Sequence, residues 1–152
     1  MGLARIGIGS NVGDAAANVR TAFDRLERLG TVTARSSLYR TRAWGVTAQP
    51  DFFNAAALLE TSHPPHELLC GLKRIEREMG RVATYRWGPR VIDLDILAYD
   101  DLAIDEPELT LPHARLRERA FALAPLAEID AAFASAYEAL APAARAQAER
   151  IP

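Results

Sequence analysis

The stretch from Arg86 to Ile96, RWGPRVIDLDI, limits the possible folds of this chain more than any other. Val91, Ile92, Leu94, Ile96 and Leu97 have the apolar, β-branched character of a mostly buried strand. Side chains alternate across a strand, so Asp93 and Asp95 project from one face with their Cα atoms about 7 Å apart. Two like charges that close repel, and on a half-buried strand they require cations. Carboxylate pairs facing Mg²⁺ beside a phosphate-rich ligand meet that requirement. Arg86 and Arg90 flank a Trp-Gly-Pro turn immediately before the strand and suit the same ligand. The stretch therefore predicts a mostly buried strand with both aspartates on one face, and a metal-dependent phosphoryl-type transferase.

The remaining sequence is compatible with that reading. Its 152 residues predict one domain, residues 1–152, with 49% hydrophobic and 25% charged residues. A formal net charge of -2 gives no global basic field for nucleic acid, so anion binding has to be local. Cys70 is the single cysteine, which excludes an intramolecular disulfide. Neither a cleavable leader nor an apolar run of membrane-spanning length is evident, and a cytoplasmic monomer is expected.

Taken in order, Leu3 to Gly9 reads as a central strand whose Gly7 and Gly9 allow close approach of another backbone or a ligand. The turn Gly9-Ser10-Asn11-Val12-Gly13-Asp14 follows, with Asp14 as N-cap of a helix to about Leu29 and Gly30 as its C′ residue. That turn lacks the spacing of a phosphate loop. Thr31 to Tyr39 is β-like, Thr41 to Asp51 is a loop, and Phe53 to Glu60 is a strand confined by Pro50 and the Pro64-Pro65 break. A helix from about Pro64 to Met79 ends at Gly80, and Val91 to Tyr99 is the acidic strand. Leu102 to Ile104 is expected to pair back on it as an edge strand. Phe121 to Ile129 contains Pro125 and is expected to begin with a turn and pack as core; Pro142 should break the Ala-rich tail. Strand, helix, strand, strand, helix, strand predicts the ferredoxin-like βαββαβ α+β sandwich, an antiparallel sheet with helices on one face and a C-terminal helical extension. His63 and His66 straddle the proline break without helical metal spacing and read as surface or capping residues, and Cys70 reads as structural.

Six blocks in order, SSLYRT (Ser36 to Thr41), QPDFFN (Gln49 to Asn54), RIE (Arg74 to Glu76), GRV (Gly80 to Val82), RWGPRVIDLDI and LPH (Leu111 to His113) with Arg119 and Phe121 after it, closely resemble the 6-hydroxymethyl-7,8-dihydropterin pyrophosphokinases of folate biosynthesis. The resemblance implies a ferredoxin-like fold and transfer of pyrophosphate from ATP to the pterin hydroxymethyl group, releasing AMP. It implies two Mg²⁺ ions held by Asp93 and Asp95, with Arg86, Arg90 and Asp95 as the catalytic groups. It places Glu76, Arg81, Trp87, Arg90, Ile96, His113 and Arg119 at ATP. Thr41, Ala43, Trp44, Phe52, Asn54, Asp95 and Phe121 fall at the pterin, with Phe52 and Phe121 sandwiching the ring and the Asn54 amide matching its polar edge. The partners implied are small molecules only. Arg42, Ala43 and Trp44 stand where prolines are frequent in the family, and Phe52 stands where tyrosine is common.

Without these blocks, Phe52 and Phe121 read as core aromatics, His113 as a loop histidine, and Arg86 and Arg90 as solvated charges. The rival from another class is a ferredoxin-like module that binds pterin or nucleotide without catalysis. The intact Asp93, Asp95, Arg86 and Arg90 argue against it. A third reading is a segment of a fused folate enzyme.

Overall fold

A computed structural model describes residues 1–41, 50–81 and 89–152. The predicted site residues Ala43, Trp44, Arg86 and Trp87 lie outside the described residues.

The centre of the molecule is β1 (Gly2–Ser10), which pairs antiparallel with β4 (Phe52–Thr61) on one side and β5 (Asp93–Tyr99) on the other. Beyond β4, β2 (Thr31–Arg35) and β3 (Tyr39–Thr41) lie one after the other along the same edge, both antiparallel to it. The resulting order, β5-β1-β4 and then β2 with β3, is the antiparallel order of a ferredoxin-like βαββαβ sandwich. α1 (Ala15–Leu26) and α2 (Pro65–Glu78) supply the two crossovers. Asp14 caps α1 by accepting a hydrogen bond from the Ala17 N–H at 3.1 Å. Pro65 occupies the first turn of α2, and Gly80 ends the helix with a left-handed φ of 92°.

Both helices cover one face. Val19, Phe23 and Leu26 of α1 and Leu68, Leu72 and Ile75 of α2 pack against Ile6, Ile8, Leu59, Leu94 and Ile96. Each fully buried aliphatic side chain of this kind contributes about 2 kcal/mol. A smaller cluster sits on the opposite face, where Leu116, Leu123 and Leu126 cover Ala56 and Leu97. It is carried by α3 (Ala120–Ile129), and it leaves uncovered the end of that face where β1 exits and β5 begins.

Several expectations change. Pro125 sits inside α3 rather than marking a turn, because burial of Ala122, Leu123, Ala124 and Leu126 offsets the hydrogen bond that proline cannot donate. The segment after β5 does not pair back on it: β6 (Ile104–Asp105) pairs instead with β7 (Thr110–Leu111) in a separate two-stranded ribbon. Gly30 is required by close approach rather than by a left-handed cap, since a Cβ there would stand 2.1 Å from the Glu60 carbonyl oxygen. Cys70 is exposed, because the buried positions of α2 are Leu68, Leu72, Ile75 and Glu76. The tail forms α4 (Ala134–Glu138), α5 (Pro142–Arg145, starting at the proline) and β8 (Glu149–Arg150), which pairs with β3. Among the described residues, no helix is long and apolar enough to cross a membrane.

Candidate active site

Directly opposed residues of antiparallel strands share a face. Asp93 lies opposite Gly9, Gly9 opposite Asn54, and Asn54 opposite Tyr39; one row along, Asp95 lies opposite Gly7 and Gly7 opposite Ala56. The face with the carboxylates is thus the one the α1–α2 layer does not cover. The two glycines let neighbours lie across the central strand. A Cβ at Gly9 would stand 2.9 Å from Asn54 Oδ1, and one at Gly7 3.2 Å from Leu97 Cδ1. A pocket opens over this surface, lined by Asp93, Asp95, Arg90, Asn54, Thr41 and Phe52 from the sheet side and by His113, Leu116, Arg119 and Phe121 from the α3 side. Two distant parts of the sequence therefore face each other.

Charge around Asp93 is balanced pairwise. Arg81 donates to Asp93 Oδ1 at 3.0 Å and Arg90 to Asp93 Oδ2 at 3.1 Å, so both oxygens of Asp93 are held by guanidinium groups. Arg81 also donates to Glu76 at 2.8 Å. Glu76 is buried, lies 3.3 Å from Lys73 Nζ, and accepts a 2.7 Å hydrogen bond from the Leu94 N–H, the main-chain donor between the two aspartates. Its carboxylate fixes the β5 main chain from behind and is not among the side chains that line the pocket. The Ile96 side chain packs into the core beneath α1 and α2, as alternation requires.

Asp95 differs from Asp93. Burial, and then the neighbouring Asp93 charge, push its pKa up from 3.8 to about 7. Two carboxylates facing one pocket, one of them with its ionisation disfavoured by burial and by the other's charge, suit a hard divalent cation, which takes oxygen ligands. His113 is held below the ordinary histidine range by burial and by Arg119. It is neutral at pH 7. Its Nδ1 accepts from the Arg115 N–H at 3.4 Å, which leaves Nε2–H as the donor.

The pocket also has two aromatic residues, one on each side. Phe52 comes from β4 and Phe121 from α3, and both are half-buried. Arg119 lies over the Phe121 ring, 5.5 Å from its centroid, and so joins the aromatic wall to the cationic one. Asn54 is buried and donates through Nδ2 to Thr41 Oγ1 at 3.0 Å. Of the predicted residues, Asp93, Asp95, Arg90, His113, Arg119, Thr41, Phe52, Asn54 and Phe121 meet in one pocket, and Arg81 borders it through Asp93. Sequence reasoning missed Lys73, Leu97 and Leu116. Only helical spacing, which puts Lys73 three residues before Glu76, gave any sign of them.

A family model described as 7,8-dihydro-6-hydroxymethylpterin-pyrophosphokinase (HPPK) matches residues 5–131. The chain belongs to the HPPK family. HPPK relatives include the 2-amino-4-hydroxy-6-hydroxymethyldihydropteridine pyrophosphokinase of Methylorubrum extorquens, 49% identical over 128 residues, covering 83% of this chain and 81% of that protein. The Bacillus subtilis protein of the same name is 45% identical over 129 residues, 84% of this chain and 77% of its own length. The mitochondrial folate synthesis bifunctional protein of Pisum sativum is 46% identical over 125 residues, 82% of this chain but 24% of that protein. Among solved structures, a Plasmodium falciparum HPPK-DHPS triple mutant with pteroate superposes with a TM-score of 0.71 at 14% identity, covering 99% of this chain and 46% of that one. This chain therefore spans less than half the length of that structure, and the likeness establishes the shared HPPK fold.

Proposed function

We infer that this chain transfers the pyrophosphoryl group of ATP to the hydroxymethyl group of 6-hydroxymethyl-7,8-dihydropterin in folate biosynthesis, with release of AMP. The observation that carries this reading is the meeting, in one pocket, of a carboxylate pair, a cationic cluster, two aromatic rings from different elements and a buried amide.

In this reading the pterin ring stacks between Phe52 and Phe121, and Asn54 and Thr41 meet its polar edge, which directs the hydroxymethyl group toward Asp95. Arg90 and Arg119, with Arg81 at the margin, hold the phosphates, and neutral His113 donates through Nε2–H. Arg86, Trp87, Ala43 and Trp44 complete the two half-sites. Asp93 and Asp95 are the residues that would hold two Mg²⁺ ions, which supply charge neutralisation for in-line attack at the β-phosphorus and acidify the attacking hydroxyl. Lys73 and Glu76 act behind Asp93, keeping Arg81 and the β5 main chain in register.

The test is direct: the protein is incubated with ATP, Mg²⁺ and the hydroxymethyl-dihydropterin, and nucleotides are separated. Stoichiometric AMP is expected. ADP would mean simple phosphoryl transfer, and pterin binding without any nucleotide product would replace the enzyme with a binding module.

A further inference from the structure

The glycine-containing turn after β1 does not present its first amide to a ligand. The Asn11 N–H donates to the Arg90 carbonyl at 3.0 Å, the Arg90 N–H donates to Asn11 Oδ1 at 2.8 Å, and Asn11 Nδ2 donates to the Pro50 carbonyl at 3.1 Å. Asn11 itself is 2% exposed. Asn18 of α1 braces the turn by donating to the Val12 carbonyl at 2.9 Å, and it reaches Ser10 Oγ at 3.2 Å.

The position of these bonds follows from the topology. β1 lies between β4 and β5, and Pro50 and Arg90 stand just ahead of those two strands. Pro50 leads directly to Phe52 and Asn54. Arg90 grips Asp93. A side chain at the end of the central strand can touch the segments leading into both neighbours, and an amide can accept from one while donating to the other. We propose that Asn11 is a positioning residue that couples the pterin half of the site to the phosphate half, through Pro50 on one side and the Arg90 main chain on the other. This rests on the substrate assignment of the preceding section.

Asparagine is required here for a chemical reason. An aspartate in its place would keep the acceptor for the Arg90 N–H but would face the Pro50 carbonyl with an oxygen. An alanine would leave both backbone groups without this partner. Loss of such buried bonds corresponds to roughly ten- to hundredfold in an equilibrium. The coupling is therefore large enough to measure.

The experiment measures pterin affinity of the full chain by titration calorimetry with and without Mg²⁺ and α,β-methylene-ATP, for wild type, Asn11→Ala and Asn11→Asp. The wild type should bind pterin about tenfold or more tightly once the nucleotide is bound. Both variants should lose that enhancement to within about twofold, while each ligand alone binds within about threefold of wild type. Asn11→Asp, which keeps the Arg90 bond, should lose less kcat than Asn11→Ala; if the alanine variant does not fold, the aspartate variant carries the test. Wild-type enhancement retained in the variants, no enhancement in the wild type, or equal weakening of both ligands with an unchanged ratio would each overturn the coupling. Absence of AMP formation by the wild type would instead remove the substrate assignment, so the two failures are distinguishable.

Discussion

The two faces of the same sheet are built on opposite rules. Toward α1 and α2, Leu59, Leu94 and Ile96 are held by volume, and their neighbours are other hydrocarbon groups. On the other face, Asp93, Asn54 and Thr41 are held by directed hydrogen bonds, and the covering helix stops short. The first face is stabilised mainly by packing, with the ion-paired Glu76 carboxylate as its buried charge. The second carries charge that its surroundings only partly satisfy, as the raised pKa of Asp95 records. Strand alternation is what allows residues next to each other in sequence to follow both rules.

The strongest way to break this contrast is Asp95→Asn. Turnover measured as AMP release should fall about a thousandfold, while the circular dichroism spectrum and the urea midpoint are kept or improved, because the substitution removes a carboxylate that resists ionisation. Loss of the fold would contradict the division. The mirror experiment is Leu59→Ala on the apolar face, which should cost about 2–5 kcal/mol in urea unfolding and leave AMP formation per folded molecule within about threefold. A comparable loss in turnover would mean that the faces are not separable.

Smaller effects sharpen the picture. Gly9→Ala places a methyl 2.9 Å from Asn54 Oδ1, so the amide has to move. KM for the pterin should rise about tenfold, with the KM for ATP nearly unchanged. The smallest expected signal is in pH. Because the Asp95 pKa in the folded protein lies above its unfolded value, its contribution is fully present below about pH 4 and is lost as pH rises through about 7. Metal-free protein should therefore melt at lower temperature at pH 8 than at pH 5.5, and added Mg²⁺ should raise the melting temperature more at pH 8. Equal Mg²⁺ stabilisation at both pH values would remove Asp95 from the cation site.

Much of this was legible in sequence wherever local chemistry decides structure. Asp14 and Gly80 mark helix ends through capping, the alternation around Asp93 and Asp95 gives a two-faced strand, and the order of elements gives the sandwich. The family blocks, rather than periodicity, assigned Phe52, His113, Arg119 and Phe121 to the pocket. What remained illegible depends on contacts between distant segments. The pairing of Tyr39 with Arg150 leaves no local trace, and neither does the requirement for Gly30, which is set by the carbonyl of Glu60 on a strand far along the chain. Glu76 shows the limit most clearly. Its identity pointed to the site, but the 2.7 Å bond by which it also holds the Leu94 N–H depends on how α2 packs on β5 and leaves no local trace. The helical state of the Pro125 segment was hidden because its cost is local while the burial that offsets it is tertiary.

Gly7 and Gly9 bring no functional group to the pocket, yet Leu97 and Asn54 lie across the space where their side chains would stand. In a saturation mutagenesis map of this enzyme, these two positions should therefore stand out beside the aspartates, with tolerance falling as the introduced side chain grows. A survey that ranks residues by the atoms they offer a substrate would overlook both.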